Sequence, residues 1–216
     1  MIRAHYRDRT AAGTALSRAL RERPGRFDPD DTVVIGLARG GVPIAAQIAD
    51  DLSSALEVIV VRKLGTPGHE ELALGAISAS RMVLDDGLVH SLQVSAAALD
   101  AVIERERAEL RRREAVYRRG RAPVAIVGKT VILVDDGIAT GATMRVAALD
   151  VRDAGAASVV VAVPTAPISA AAEFATLADE FICPYTPEPF HAVGMSYERF
   201  DQVSDEQVRA ALAGDA

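Results

Sequence analysis

Residues 131–143 read Val-Ile-Leu-Val-Asp-Asp-Gly-Ile-Ala-Thr-Gly-Ala-Thr, and this stretch decides the fold. Its first four residues form a continuous aliphatic run, which is typical of a strand buried on both faces. Asp135 and Asp136 follow where such a strand leaves the core, and a loop of small residues around Gly141 leads into a helical pattern. Two carboxylates at the carboxyl end of a strand, beside a loop that opens a helix, indicate a site for a polyol and a phosphate.

The rest of the chain alternates between strand-like and helix-like patterns. Aliphatic runs predict strands at 32–37, 56–61, 131–134, 158–163 and 180–183. Amphipathic patterns with capping residues predict helices at 8–23, 43–52, 95–119, 144–155, 169–178 and 205–213. This alternation predicts the α/β class, with a mainly parallel twisted sheet and helices on both faces.

The segment after the second predicted strand breaks the alternation. Residues 62–71 are polar and carry glycines, so they are predicted to form a loop. Short strands are predicted at 72–79 and 81–89, with Asp86-Gly87 as a turn signal.

No internal repeat, low-complexity tract or linker divides the chain. We therefore expect a single domain over residues 1–216. Within it we expect a flexible loop and insertion at about 64–122 and a small hood at about 184–204, formed near the C-terminus together with the N-terminus.

Composition narrows the class of protein. The formal net charge of -6 disfavours nonspecific binding to nucleic acid or to an anionic membrane. Cys183 is the only cysteine, so no disulfide forms within the chain. Residues 1–9 lack the apolar core of a signal peptide, and no apolar run reaches the ~18 residues of a membrane span. These features predict a cytoplasmic protein.

Other phosphate-binding motifs fail on inspection. Gly128-Lys129-Thr130 resembles the end of a P-loop, but position 123 is proline instead of glycine and the triplet precedes its strand. No G-x-G-x-x-G pattern occurs, which argues against a dinucleotide fingerprint. A purely structural alternative remains open, in which residues 135–137 form only a turn and a helix cap.

Two further strand ends carry basic residues. Ala38-Arg39-Gly40-Gly41 follows the first predicted strand, and Lys63 follows the second. Because the carboxyl ends of parallel strands meet at one edge of a sheet, Arg39 and Lys63 are predicted to face Asp135. Taken alone, each could equally be a solvated surface residue.

The stretch 131–143 resembles the phosphoribosyl pyrophosphate (PRPP) signature of the type I phosphoribosyltransferases. That signature consists of four hydrophobic residues, two acidic residues, a short variable segment, then Thr-Gly and a closing Ser or Thr. The resemblance covers most of the chain, since the βαβ start, the mid-chain loop and the strand after residue 143 also fit the family. Residues 62–65, 71–77 and 134–143 are similar to a bacterial-type group of predicted phosphoribosyltransferases.

The resemblance implies a role for each strand-end loop. Asp135 and Asp136 would bind the ribose hydroxyls and hold Mg²⁺, in part through water, and Lys63 would join them as a catalytic residue. The 5-phosphate would be bound by the loop residues Ala139, Thr140, Gly141, Ala142 and Thr143. Pyrophosphate would be bound by Arg39, Gly40 and Lys63. Residues 65–71 would form a catalytic lid.

The acceptor is less defined. Many 6-oxopurine members of the family carry an aspartate where this chain has Ala139, so the resemblance implies an acceptor other than hypoxanthine or guanine. The family holds its base under a variable hood, where aromatic residues would suit stacking. The candidates in this chain are Tyr185, Phe190, His191 and Tyr197, and simple packing of an irregular tail is their alternative role.

We therefore expect a Mg²⁺-dependent enzyme that transfers 5-phosphoribosyl from PRPP to a nitrogen of a nucleobase-like acceptor and releases pyrophosphate. The resemblance also implies a homodimer, while membrane and nucleic-acid partners are not expected. The alternative is a non-catalytic PRPP- or nucleotide-binding regulatory module on the same fold, which pyrophosphate release in a screen of bases would discriminate. A phosphoacceptor protein also uses an aspartate at a strand end, but it has no need of the Thr-Gly-x-Thr loop.

Overall fold

The computed structural model describes residues 4–23, 25–119 and 121–214. The strands are β1 (Thr32–Leu37), β2 (Ala55–Ile59), β3 (Arg62–Thr66), β4 (His69–Ile77), β5 (Met82–Leu84), β6 (Thr130–Val134), β7 (Ser158–Ala162) and β8 (Glu180–Ile182). The α-helices are α1 (Arg9–Arg21), α2 (Gly41–Leu52), α3 (Asp86–Ser91), α4 (Ala96–Arg118), α5 (Ala142–Asp153), α6 (Ala170–Phe174) and α7 (Asp205–Ala213). Residues Val193–Ser196 form a short 3₁₀ helix.

A five-stranded sheet in the order β2-β1-β6-β7-β8 forms the centre of the molecule. All four of its strand pairs are parallel. Every residue of β1 is buried, and so are the last four residues of both β6 and β7, as their continuous aliphatic runs predict. The α/β class with a mainly parallel sheet is thus confirmed.

Helices cover both faces of this sheet. Successive side chains of a strand point to opposite faces, so Val33 and Val34 of β1 enter different cores. Val33 packs in a core with Met144 of α5, whereas Val34 packs in a core with Leu16 of α1 and Ile44 of α2.

The prediction that residues 62–71 form a loop is wrong. Most of it belongs to β3 and β4, two strands of a three-stranded antiparallel sheet in the order β3-β4-β5. Leu64 is fully buried in a core shared with α4 and α7, and the Thr66 hydroxyl donates to the carbonyl oxygen of Leu72 at 2.8 Å. Only Pro67-Gly68 remains as the turn between the strands. Packing on α4 therefore turns a glycine-bearing polar segment into a hairpin.

The predicted strand at 81–89 is also wrong over most of its length. Only Met82–Leu84 pairs with β4, and α3 begins at Asp86. The carboxylate of Asp85 accepts the backbone N–H of Leu88 at 2.9 Å, so Asp85 caps a helix and Asp86-Gly87 forms its first turn instead of a hairpin.

Some of the remaining strands and helices end at other residues than predicted. β2 ends at Ile59, two residues before the predicted bound of 56–61, and α6 is shorter than the predicted helix at 169–178. The predicted stop of the first helix at Pro24 lies outside the described residues. In the described ranges, no helix is both long and apolar enough to span a bilayer.

The segment that was predicted as an insertion packs closely on the sheet. Val102, Ile103 and Leu110 of α4 share a buried core with Val58 of β2 and Val208 of α7. This third core brings α4 and α7 to the same side of the molecule as the loop between β1 and α2.

Candidate active site

The loops after β1 and β6 meet at one edge of the sheet, because these strands are neighbours in parallel register. A cavity of about 570 Å³ opens there. It is lined by Arg9, Arg39, Gly40, Lys63, Asp135, Asp136, Gly137, Ile138, Ala139, Thr140, Gly141, Thr143, Val193, Phe200, Gln202 and Val203. The structure therefore brings together every predicted site residue except Ala142.

Asp135 and Asp136 sit on the floor of this cavity, directly after β6. The backbone N–H of Asp136 donates to Oδ1 of Asp135 at 2.9 Å, which fixes the two carboxylates relative to each other. Burial raises the pKa of Asp135 well above its usual range, and the negative charge of Asp136 adds to this rise. Burial also raises the pKa of Asp136, although Arg9 opposes that change. It is thus costly to keep both carboxylates ionised, and Arg9 offsets this cost for Asp136 in part.

The loop from Ala139 to Thr143, which was predicted as a phosphate cradle, leads directly into α5. Gly141 has a φ of 72°, a conformation that side chains other than glycine rarely adopt. It precedes α5 directly and no side chain caps this helix, so the first N–H groups of α5 remain available to an anion. Ala142 is the first residue of α5 and lines a neighbouring cavity of about 640 Å³.

Arg39 and Gly40 lie in the loop between β1 and α2. The Ala38-Arg39 peptide bond is cis. Nη1 of Arg39 lies 3.7 Å from Oδ1 of Asp205, and the same oxygen accepts the hydroxyl of Tyr117 at 2.6 Å. That hydrogen bond is the main reason why the pKa of Asp205 lies below its usual range. A negative group at the start of α7 therefore faces the arginine of this loop.

Lys63 reaches the cavity from a different element than expected. The sequence placed it at the end of the second parallel strand, but it is the second residue of β3, in the antiparallel sheet. Its side chain is exposed and borders both the main cavity and the neighbouring one that Ala142 lines. Lys63 thus stands where the two sheets meet.

Sequence reasoning missed Arg9. Its Nε and Nη2 both donate to Oδ2 of Asp136, at 2.9 Å and 2.7 Å. Arg9 is the first residue of α1 and lies 127 residues before Asp136, so no local pattern connects the two. The basic N-terminal sequence was the only available signal.

The hood contributes one wall of the cavity. Val193, Phe200, Gln202 and Val203 line it; all four lie within the predicted hood at about 184–204, but none was named as a site residue. Of the predicted aromatic residues, only Tyr197 contacts the site, where its hydroxyl donates to the backbone oxygen of Asp136 at 2.6 Å. The others do not line this cavity, and Tyr185 instead stacks on His5 with ring centroids 4.0 Å apart.

Asp135 and Asp136 are the candidate ligands for Mg²⁺ in this cavity. Among the described residues, no group of three or more His, Cys, Asp or Glu side chains could hold a metal ion. Mg²⁺ commonly binds through one or two protein carboxylates together with substrate phosphates and water. Asp135 and Asp136 fit this mode, although Oδ2 of Asp136 is already engaged by Arg9.

Comparison with known proteins places the chain in a family. The family model described as "Phosphoribosyl transferase domain" matches residues 6–184. The chain belongs to this family. "Putative phosphoribosyl transferase Rv0571c" of Mycobacterium tuberculosis is 45% identical over 208 residues, which are 96% of this chain and 46% of that protein. The chain thus spans less than half the length of the curated relatives it matches.

Solved structures are similar to the chain in fold. The crystal structure of TT1426 from Thermus thermophilus is 40% identical, with a TM-score of 0.77 over 96% of this chain and 97% of that one. The AQ2163 protein from Aquifex aeolicus is 11% identical, with a TM-score of 0.50 over 82% of this chain and 73% of that one, a similarity of fold alone. The resemblance of the sequence to the type I phosphoribosyltransferases is confirmed.

Proposed function

We propose that this protein transfers the 5-phosphoribosyl group of PRPP to a ring nitrogen of a heterocyclic acceptor and releases pyrophosphate. The observation that carries the proposal is one cavity that holds the carboxylate pair, the phosphate-type loop, and Arg39 and Lys63 from other parts of the chain. Membership of the phosphoribosyl transferase family supports the same donor.

The donor would be held at three points. Asp135 and Asp136 accept the ribose hydroxyls, which supplies the hydrogen-bond donors that their burial calls for. The backbone N–H groups from Ala139 to Thr143 and the N-terminus of α5 bind the 5-phosphate. Arg39 and Lys63 bind the pyrophosphate. Gly40 has no side chain, so the backbone of its loop can approach the pyrophosphate closely.

The reaction breaks the C1–O bond to pyrophosphate and forms a C1–N bond to the acceptor, whose nitrogen gives up its proton to water. Positive charge develops on the ribose ring as the bond breaks, and the carboxylates of Asp135 and Asp136 favour that charge. Arg39 and Lys63 stabilise the negative leaving group. Mg²⁺, when bound with PRPP, would supply further positive charge at the pyrophosphate. The predicted lid at 65–71 falls at the β3–β4 turn, and its closing role stays a prediction.

The acceptor would bind against the hood wall. Val193, Phe200 and Val203 offer an apolar surface, and no hydrogen bond joins the exposed Gln202 to another described residue. An apolar slot with one amide suits a flat heterocycle whose edge both donates and accepts hydrogen bonds.

The test measures donor binding and turnover separately. Calorimetry with PRPP and Mg²⁺ should give binding that Asp135→Asn and Asp136→Asn each weaken by at least about tenfold, the scale of one lost hydrogen bond to a charged group. The control is Asp51→Asn, which removes an exposed carboxylate paired with Arg21 at the far end of α2. Unchanged PRPP affinity in the two site variants would refute the proposal.

Turnover is then followed as pyrophosphate release with a panel of bases. Release with at least one base supports the transferase. PRPP binding without release from any base would favour the non-catalytic PRPP-binding module. The homodimer implied by the family resemblance stays a prediction, which light scattering on the purified chain can test.

A further inference from the structure

Arg9 holds one oxygen of the carboxylate pair from outside the motif. Nε and Nη2 both donate to Oδ2 of Asp136, at 2.9 Å and 2.7 Å. The two side chains are only 15% and 14% exposed. A charged hydrogen bond that is this well shielded from water fixes both partners far better than a surface ion pair does.

The same guanidinium is bound to the hood. Its Nη1 donates to the backbone oxygen of Asp201 at 2.6 Å, and its Cζ lies 4.1 Å from the centre of the Phe200 ring. All three guanidinium nitrogens of Arg9 are thus engaged. Arg9 links the hood wall of the cavity to the carboxylate floor.

The location of Arg9 is unfavourable for its own helix. It is the first residue of α1, where the positive end of the helix dipole disfavours a cation. Its contacts with Asp136 and the hood account for an arginine at this position better than the stability of α1 does.

Asp136 is left with one free oxygen. Oδ2 is occupied by Arg9, whereas Oδ1 accepts no hydrogen bond from another described residue. The peptide of Asp136 is fixed at both ends, because its N–H donates to Asp135 and its carbonyl oxygen accepts the Tyr197 hydroxyl. The free oxygen therefore has a defined position in the cavity.

We propose that Arg9 is a positioning residue that orients Asp136 Oδ1 toward a ribose hydroxyl and thereby sets the preference of the site for a sugar with an intact 2,3-diol. This inference rests on the proposed function. Arg9 acts through Asp136 and touches neither the bond that breaks nor the one that forms. All three of its nitrogens are held by Asp136 and the hood, which fixes the orientation of the guanidinium.

The test compares two ligands that differ only in the diol. These are the methyl furanoside of ribose 5-phosphate and its 2,3-dideoxy analogue, with dissociation constants measured by calorimetry in Mg²⁺-free buffer. Arg9→Met removes the donors and keeps an unbranched side chain against Phe200. It should reduce the preference for the diol by about tenfold, the scale of one charge-assisted hydrogen bond, and change binding of the dideoxy analogue by less than about threefold.

Two further variants make the result decisive. Arg7→Met is the matched control, since Arg7 is 67% exposed and pairs with Asp8 instead of the cavity; it should behave as wild type. Arg9→Lys keeps the charge but offers a single ammonium in place of a fork, so it should lose about threefold in diol preference. If Arg9→Met does not fold, Arg9→Lys alone decides, and an unchanged preference overturns the inference.

The possible failures can be told apart. If Arg9→Met keeps the diol preference of the wild type, or weakens both ligands equally, the positioning role is refuted while the proposed function stands. If wild-type protein binds both ligands with the same affinity, the diol assignment of the carboxylate pair fails, and with it the proposed function.

Discussion

Gly40 lies so close to Asp136 that a Cβ atom on it would stand 2.0 Å from Oδ2 and 2.6 Å from Cγ of that carboxylate. The loop after β1 and the loop after β6 are therefore in contact across the cavity. Gly40 has φ -61° and ψ -33°, which any residue adopts, so the need for glycine here is one of space alone. Arg9 donates two hydrogen bonds to the same Oδ2, so Asp136 cannot yield freely to a larger neighbour.

Gly40→Ala should therefore damage ligand binding without straining the backbone. We expect the dissociation constant for PRPP to rise by about tenfold or more, since overpacking of this kind costs about 1–3 kcal/mol. Calorimetry measures it. Gly87→Ala is the control, because a Cβ there would meet only Asp85 Oδ1 at an ordinary 3.4 Å. Wild-type affinity in Gly40→Ala would show that the position of Asp136 is not critical.

Asp135 should make the ligand-free protein less stable as pH rises. Its pKa in the folded state is raised by burial and by Asp136, so the folded state favours the protonated carboxyl. The stability it contributes is present below its ordinary pKa of about 4 and is lost as pH rises through the raised value. Asp135→Asn, which cannot ionise, should thus melt at a higher temperature than wild type at pH 7.

The measurement is a melting temperature by circular dichroism from pH 4 to pH 8 without ligand. The gap between Asp135→Asn and wild type should widen with pH, while Asp51→Asn should show no gain. A gap that does not change with pH would contradict the assigned cause. The same Asp135→Asn variant should bind PRPP poorly, so that stability and binding move in opposite directions.

The grouping of the carboxylate pair with the small-residue loop could be predicted from the sequence because these parts are local. Asp135, Asp136 and the loop that ends at Thr143 are contiguous in the chain. Because the carboxyl ends of parallel strands lie at one edge of the sheet, Arg39 could be predicted to lie beside these residues. The hood side of the cavity is formed by residues from both ends of the chain. No local sequence pattern around Arg9 or Phe200 distinguishes a site residue from a solvated one.

The hairpin formed by β3 and β4 shows a different limit. Glycines and charges made 62–71 resemble a loop, while the alternation of exposed Lys63 and buried Leu64 was too short to indicate a strand. Contact with α4, which is remote in sequence, decides the conformation. The intrinsic strand propensity of a segment predicts its conformation poorly wherever a tertiary contact of this kind exists.

Neutral acceptors should be preferred over anionic ones. Gln202 is the polar residue of the hood wall, and the charge of Arg9 is already compensated by its ion pair with Asp136. We expect pyrophosphate release with adenine or uracil to exceed that with orotate or nicotinate at equal concentration. Ala139 lines the same cavity without a carboxylate, so hypoxanthine and guanine should rank below adenine. Preferential use of orotate would refute this description of the acceptor pocket.

Gln202→Leu tests the amide directly. It should raise the KM for the preferred acceptor by about tenfold, because a hydrogen bond to the heterocycle edge is lost, and leave the dissociation constant for PRPP unchanged. Gln207→Leu is unsuitable as a control because Gln207 forms the capping box of α7. Glu206→Gln suits that purpose, since Glu206 is exposed in the first turn of α7 and does not line the cavity. Equal losses in PRPP and acceptor binding would contradict a role confined to the acceptor.

The packing of α4 against β3 predicts how strongly a buried ion pair stabilises the domain. Glu106 is a buried carboxylate whose Oε2 accepts Nη2 of Arg62 at 2.7 Å, while its Oε1 accepts Nε of Arg105 at 3.0 Å. Glu106→Ala removes the partner of Arg62 at the junction of α4 and β3. Breaking a buried pair from one side costs roughly 3–5 kcal/mol, and since Arg62 is 28% exposed we expect a loss of about 2–3 kcal/mol in the free energy of unfolding.

Urea denaturation followed by circular dichroism measures this loss. The control is Glu104→Ala, whose carboxylate is 66% exposed and pairs with Arg107, and it should stay within about 0.5 kcal/mol of wild type. Because α4 shares its core with β2 and α7, both wild type and Glu106→Ala should unfold in one transition, as a single domain requires. A separate early transition in Glu106→Ala would mean that the segment at about 64–122 unfolds independently of the central sheet, and would contradict the single domain.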